Sequence, residues 1–387
     1  MTLRVGLVTS EFPPDLGGVE TYSWQLAREL ASRRDVEVTV YAPPTARGLA
    51  PPPGVTIRPV LTSCMELDWA RLASEPIDVW HALSAAHCWL AQKDRPTVVS
   101  VHGNDFLVPY PATMRPALAI PALWRLRGFA WKEFEPLWRR ATAQMLRRAL
   151  PRCGAVIANS RYTADVLQAL VPGCGDRIEV AGVGVDGAFF DVARTPGHGR
   201  PRLLTVCRLS EARKNVELVL RALGALKERF DFEYVVAGDG ALREGLERLA
   251  AELGLGARVR FAGRVSDAEL RQLYATADLF LLTASVSPAS HEGFGIVYLE
   301  AAASGVPSLA ARLAGAVEAV ADGESGYFVE TPNVEAIEAA LASFLSGRIR
   351  FDVDDCRSFA RRFTWARVAD VAMKSYRQTL SMPASMP

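Results

Sequence analysis

Short runs of aliphatic and β-branched residues alternate along this chain with longer segments whose apolar residues recur at three- and four-residue spacing. In the first half, LRVGLVT (3–9), VEVTVYAP (36–43), VTIRPV (55–60), IDVWHAL (77–83), TVVSVHG (97–103), GAVIANS (154–160) and RIEVAGVGVD (177–186) read as strands. VETYSWQLARELASR (19–33) and RYTADVLQAL (161–170) read as helices. The polar, Gly- and Pro-rich DVARTPGHGRP (191–201) reads as a linker, and a second alternation follows it. There, RLLTVCRL, FEYVVAG, VRFAG, DLFLLT, SLAA and SGYFVE are predicted strands, with helices from about Asn215 to Arg229 and over ALREGLERLAAELG, DAELRQLYATA and PNVEAIEAALASFLSG. Strands alternating with helices predict parallel, doubly wound sheets, which bind ligands at the carboxyl ends of their strands. The expected division is residues 1–193, residues 194–364, and a C-terminal segment 365–387 crossing back to the first half.

Length supports two domains, since 387 residues exceed one ordinary core. A formal net charge of +1 gives no whole-protein attraction to nucleic acid or to an anionic membrane. Charge is uneven, however. From Arg115 to Arg152 nine basic residues stand against two acidic ones, with Trp124, Trp131 and Trp138 every seven residues. Such a segment either lies on an anionic membrane surface or packs its tryptophans into a core under solvated arginines. The six cysteines, 64, 88, 153, 174, 207 and 356, form no CxxC pair, and the histidines no HExxH. The N-terminus has no signal-peptide pattern and no apolar run approaches membrane-spanning length, so a cytoplasmic location is expected, with possible peripheral attachment to the inner face of the membrane.

The chemistry gathers in HEGFGIVYLEAAASGVP, His291 to Pro307. With Gly295 ending a loop and Ile296 opening a helix, Glu300 stands one turn inside the helix and Glu292 on the loop before it. The free amides at Gly295, Ile296 and Val297 then suit a phosphate. A helix start with an acidic first turn explains Glu292 alone. Arg208 and Lys214, six apart around a strand-to-helix turn in CRLSEARKN, can neutralise a diphosphate or form an ordinary solvated surface. Gly17 and Gly18 form a loop that lets backbone approach a ligand or simply a flexible turn. His102 and Asp105 follow a strand, as do Asn159 and Ser160. The GDG at Gly238 lacks the third glycine of a dinucleotide fingerprint, Arg243 standing in its place. Asp352 and Asp354 read as a helix cap rather than a metal site. No nucleophile, base and orienting acid are assembled, so a serine or cysteine hydrolase has no support.

Together GGVE, SVHGND, CRLSEARKN, VVAGDG, RFAGRV, the E-x7-E run and GAVEAVADGESGYFV resemble the retaining glycosyltransferases of family 4. That resemblance implies a GT-B fold, two Rossmann-like parallel-sheet domains facing across a cleft, with the nucleotide-sugar on the C-terminal domain. It implies hexosyl transfer from a UDP-, GDP- or ADP-sugar to an acceptor hydroxyl of a glycan, lipid carrier or small metabolite, with retention. No metal or other cofactor and no nucleic-acid partner is expected. By resemblance Glu292 meets the sugar hydroxyls and Glu300 the ribose. Arg208 and Lys214 grip the diphosphate, Gly18 and the amides near Gly293, Phe294, Gly295, Ile296 and Val297 assist, His102 stands beside the transferred sugar, and Arg264 and Val265 face the base. Gly17, Asp105 and Gly238 complete the candidate substrate contacts. TASVSPAS before Glu292 and VAGVGVD around Gly184 depart from the family pattern. An epimerase or hydrolase of nucleotide-sugars, and a non-catalytic membrane-associated scaffold, are the alternatives.

Overall fold

The computed structural model describes residues 2–15, 17–62, 64–107, 127–195 and 199–382, without the side chains of residues 127–136 and 138. The chain forms two compact units, Met1–Gly184 with Trp365–Pro387, and Val185–Thr364. The first unit therefore ends at Gly184, and residues 185–193 belong to the second, not to the first as the composition of the linker suggests.

In the first unit seven parallel strands, β1 (Leu3–Val8), β2 (Val36–Ala42), β3 (Val55–Pro59), β4 (Val79–Ala82), β5 (Thr97–Val101), β6 (Ala155–Ala158) and β7 (Ile178–Val180), lie in the order β3-β2-β1-β4-β5-β6-β7. β4, β5 and β6 are buried at every position, which is why they read as continuous apolar runs rather than alternating ones. In the second unit β8 (Arg202–Val206), β9 (Glu233–Ala237), β10 (Val259–Gly263), β11 (Leu279–Leu282), β12 (Ser308–Ala311) and β13 (Gly326–Val329) are also all parallel, in the order β10-β9-β8-β11-β12-β13. The strand order reverses once in each sheet, between β1 and β4 in one and between β8 and β11 in the other, and a reversal of this kind is where open parallel sheets bind ligands.

Each unit has its own apolar core, one around Trp80, Trp89 and Leu146, the other around Leu203, Tyr234 and Leu281. The C-terminal helix Trp365–Ser381 belongs to the first unit: its buried stripe, Trp365, Val368, Ala369, Ala372, Met373 and Tyr376, keeps helical spacing, and the helix packs against the helix Gly18–Ala31 and strands β4 to β6. Lys374 to Glu179 (2.8 Å) and Arg33 to Asp370 (2.7 Å) tie its polar side to the same unit. Trp124 lies outside the described residues, as do the side chains of Trp131 and Trp138 in the helix Arg127–Ala149, so the membrane expectation attached to them falls there too. No helix among the described residues is long and apolar enough to cross a membrane.

Candidate functional site

The loops after β8 and β11, which leave the sheet at its switch point, carry Arg208 to Lys214 and Thr283 to Gly295. Two side-chain bonds stitch them together: Asn215 Nδ2 donates to the Thr283 carbonyl at 2.6 Å and to Ser285 Oγ at 2.7 Å. The Ser285 amide returns to the Arg213 carbonyl at 2.8 Å. Asn215 adopts a left-handed backbone (φ 58°), which asparagine tolerates better than most residues, and caps the helix Val216–Leu226.

Glu292 lies on the loop, and Ile296 starts the helix Ile296–Ala303, with Gly295 at its N-cap. At Gly295 φ is +93° and a Cβ would stand 2.5 Å from the Tyr298 ring, so glycine is required there on both counts. Gly293 and Phe294 are buried, Phe294 packing edge-on to Phe363 at 5.6 Å. Ile296 and Val297 in the first turn remain half-buried. Glu300 is buried one turn inside the helix, 3.3 Å from the Tyr274 hydroxyl, which also donates to the Val297 carbonyl at 3.2 Å. Burial pushes the Glu300 carboxyl up to about 7, with Asp267 and Asp186 adding to the rise against the Tyr274 hydrogen bond.

Around Glu292 the electrostatics run the other way. Lys214 Nζ is 2.6 Å from Glu292 Oε2, and Arg213 Nη1 is 3.5 Å from the same oxygen. Burial works to raise this carboxyl, but the two cations outweigh it and hold it below the ordinary glutamate range. Arg213 also contacts Glu211 Oε2 at 2.7 Å and donates from Nε to Ser290 Oγ at 2.5 Å. Arg208 stands at the rim, 59% exposed, 3.3 Å from Glu211. The two cations singled out in the sequence thus occupy different settings, Lys214 paired inside and Arg208 facing solvent.

Arg264 is exposed and Val265 half-buried just past β10, ahead of a helix capped by Ser266 and Glu269. Gly238 closes against the carbonyl of Cys207, where a Cβ would sit 1.8 Å away, so its place in the fold is steric. Asp352 accepts from the amides of Asp354 (2.7 Å) and Asp355 as the cap of the helix Val353–Ala360, in line with its sequence context. Among the described residues, no group of three or more His, Cys, Asp and Glu side chains is arranged to hold a metal.

In the first unit Gly17 caps the helix Gly18–Ala31, and the space beside Gly18 is open. His102 Nε2 lies 2.9 Å from the Leu83 carbonyl, which can only accept, so Nε2 carries the proton and Nδ1 is the free acceptor. Burial lowers the His102 pKa against the opposing charge of Asp105. Asp105, read from sequence as a substrate contact, is buried with Oδ1 accepting the His102 amide (2.9 Å) and Oδ2 the Ala85 amide (2.8 Å). Its carboxylate is committed to shaping the loop that presents His102. Asn159 donates to the His102 carbonyl at 3.3 Å, and Ser160 caps the next helix. Gly184 packs against Trp365, where a Cβ would be 2.5 Å from the Trp365 nitrogen.

Three residues of the second-unit site carried no separate signal in the sequence. Arg213 and Glu211 sit inside SEARKN between Arg208 and Lys214, and the adjacency of Arg213 to Lys214 is the one hint the sequence holds. Gly315, far along the chain, donates its amide to the Glu292 carbonyl at 3.0 Å, and a Cβ there would lie 2.1 Å from the Gly293 carbonyl oxygen.

Two Rossmann-like parallel sheets with an E-x7-E helix start at the switch point of the second define the GT-B class of glycosyltransferases. The chain belongs to glycosyltransferase family 4: residues 16–189 match the model "Glycosyltransferase Family 4" and residues 191–362 the model "Glycosyl transferases group 1". It is 30% identical to a GDP-mannose-dependent alpha-(1-6)-phosphatidylinositol monomannoside mannosyltransferase of Mycolicibacterium smegmatis, over 88% of each chain. It is 29% identical to a D-inositol 3-phosphate glycosyltransferase of Acidothermus cellulolyticus, over 95% of this chain and 87% of the relative. In fold it is similar to sucrose-phosphate synthase from Thermosynechococcus elongatus (TM-score 0.76, 19% identity, 97% and 98% of the two chains). The Anabaena protein HepE in complex with UDP and glucose is also similar (TM-score 0.68, 18% identity, 96% and 98%).

Proposed function

We propose that this protein transfers a hexosyl unit from a nucleotide diphospho-sugar to an acceptor hydroxyl with retention of anomeric configuration and without a divalent metal. The observation that carries the proposal is the pairing of Glu292 with Lys214 at the switch point, with buried Glu300 one helical turn beyond. In this reading Glu300 accepts the ribose hydroxyls and Glu292 the sugar hydroxyls. Arg208, Lys214 and the amides at the start of the helix Ile296–Ala303 neutralise the diphosphate. In the first unit, His102 is assigned to the transferred sugar, as the family resemblance implies. The bond from the anomeric carbon to the diphosphate breaks while the acceptor oxygen bonds to the same face. The acceptor proton passes to a leaving phosphate oxygen, consistent with a site that offers no side-chain nucleophile by sequence.

The names of the two relatives point to GDP-mannose as the first donor to try and to inositol phosphate-bearing compounds as the first acceptors. The test is a grid of GDP-, UDP- and ADP-sugars scored for binding, then for transfer to an inositol phosphate, with the product anomer read by NMR. Transfer with inversion overturns retention, and a requirement for added magnesium overturns metal independence. Nucleotide release equally fast without acceptor overturns transfer in favour of hydrolysis or epimerisation.

A further inference from the structure

Arg213 is the member of the site to which neither the motif nor the diphosphate assigns a role. It is 9% exposed, and it is held from three sides: Ser290 Oγ at Nε (2.5 Å), Glu211 Oε2 at Nη2 (2.7 Å), and its own carbonyl under the Ser285 amide (2.8 Å). Ser290 Oγ in turn lies 3.2 Å from Glu211 Oε2, so Glu211, Arg213 and Ser290 form a closed set. Nη1 is the loose end. It is buried without a hydrogen-bonding partner and stands 3.5 Å from Glu292 Oε2, the oxygen that Lys214 already occupies at 2.6 Å. A buried guanidinium N–H without an acceptor is costly, so this arrangement is poised for a better contact.

The two cations differ in what they can do next. Lys214 carries a compact ammonium on a flexible stem and can turn to a diphosphate, whereas Arg213 is a planar fork pinned at two of its nitrogens. Once Lys214 turns away, Glu292 loses its closer cation while remaining out of bulk water. Among the charged groups facing it, Arg213 is then the cation left in place; Glu211, which Arg213 also holds, Cys207 and Tyr298 are the other titratable neighbours.

We propose that Arg213 is a positioning residue that takes over Glu292 when Lys214 engages the diphosphate, closing the 3.5 Å gap and holding the carboxylate oriented for the sugar hydroxyls. The inference rests on the reading of Glu292 and Lys214 given above. It makes Arg213 a determinant of the sugar half of the donor and not of the nucleotide half, although it sits beside a phosphate-binding lysine.

The experiment measures binding of GDP, GDP-mannose, UDP and UDP-glucose to wild-type protein and to the variants Arg213→Met, Arg213→Lys and Glu211→Gln, with melting temperatures as the folding control. For the nucleotide that wild type accepts, Arg213→Met is expected to keep nucleoside diphosphate affinity within about twofold. It should weaken the nucleotide-sugar about tenfold, a loss of about 1.4 kcal/mol. In turnover kcat falls while inhibition by the nucleoside diphosphate is unchanged. Arg213→Lys restores part of the sugar term, and Glu211→Gln, which frees the anchor, moves it in the same direction but less. Equal loss of nucleoside diphosphate and nucleotide-sugar overturns the inference and makes Arg213 a phosphate ligand. Wild-type behaviour in Arg213→Met overturns it as well. Failure of wild-type protein to bind any of the four probes overturns instead the reading of the site on which the inference stands.

Discussion

Lys214 Nζ and Glu292 Oε2 lie 2.6 Å apart, both side chains 13% exposed, so the cation and the carboxylate assigned to opposite parts of one donor are bonded to each other. Removing one partner strands the other away from water. Glu292→Gln leaves Lys214 and Arg213 without their shared anion and is expected to cost about 3 kcal/mol of stability, with turnover lowered at least about tenfold. Lys214→Met should cost a similar amount, and the double variant clearly less than the sum, because the pair is removed together. Denaturant titration of the four proteins checks this, and strict additivity would disprove the coupling.

Glu300 gives a pH signature of its own. Its carboxyl is pushed up to about 7 by burial, against 4.5 ordinarily, so the folded state binds its proton more tightly than the unfolded state. The resulting stability is fully present below pH 4.5 and is lost as pH rises through about 7, about 3 kcal/mol in all. With Glu300 as the proposed ribose ligand, ribose hydroxyls would donate to its ionised form, so nucleotide affinity is expected to move in the opposite sense, rising about tenfold from pH 6 to pH 8. Glu300→Gln should flatten both curves. A variant that keeps the wild-type slope in nucleotide binding places the titrating group elsewhere.

Gly315 and Gly18 separate steric need from ligand access. A Cβ at Gly315 would lie 2.1 Å from the Gly293 carbonyl oxygen, while nothing stands within 4 Å of one at Gly18. Gly315→Ala must displace the loop that carries Glu292 and is expected to lose about 2–3 kcal/mol together with sugar binding. Gly18→Ala should leave the melting temperature almost unchanged and weaken nucleotide-sugar binding through blocked approach alone. Calorimetric melting with parallel binding of GDP-mannose and UDP-glucose distinguishes the two.

The periodicity of apolar residues was enough for both sheets, because parallel strands covered on both faces are written as unbroken runs such as TVVSV in β5 and LFLL in β11. The turn at Gly295 was legible for the same kind of local reason, glycine flanked by a loop and a helix-forming run. Arg213, Gly315 and the burial of Asp105 were not legible, since each depends on a partner brought from elsewhere. Gly315 meets Gly293 through the packing of two loops, and the Asp105 oxygens are taken by amides of its own loop and of Ala85. The unit boundary differs for a similar reason: a polar linker marks where the chain lacks regular structure, whereas residues 185–193 are held by partners of the second unit, Val185 by the Phe363 carbonyl, Phe189 by Tyr274 and Val192 by Arg357.

Two buried histidines of the first unit are kept neutral by burial, one of them inside a chain of hydrogen-bonded polar groups. Tyr22 Oη lies 3.0 Å from Ser100 Oγ, Ser100 Oγ 2.8 Å from His81 Nε2, and His81 Nδ1 2.7 Å from Tyr376 Oη, linking the first helix, β5, β4 and the C-terminal helix. Burial, helped by the nearby His102, pushes His81 down to about 3. His87, buried with neither ring nitrogen partnered, is pushed down to about 4 by burial alone. Both histidines take up protons more readily when unfolded, near 6.5, so the stability that they contribute above pH 6.5 is lost as pH falls toward 4. Tyr376→Phe leaves His81 Nδ1 without its partner and is expected to cost about 1–2 kcal/mol at neutral pH. His87→Phe removes one proton acceptor that the unfolded chain would otherwise gain, so between pH 6.5 and 4.5 this variant should lose about 2 kcal/mol less than wild type. Urea titrations at a series of pH values measure both effects, and an acid slope unchanged by His87→Phe would assign the acid limit to other groups.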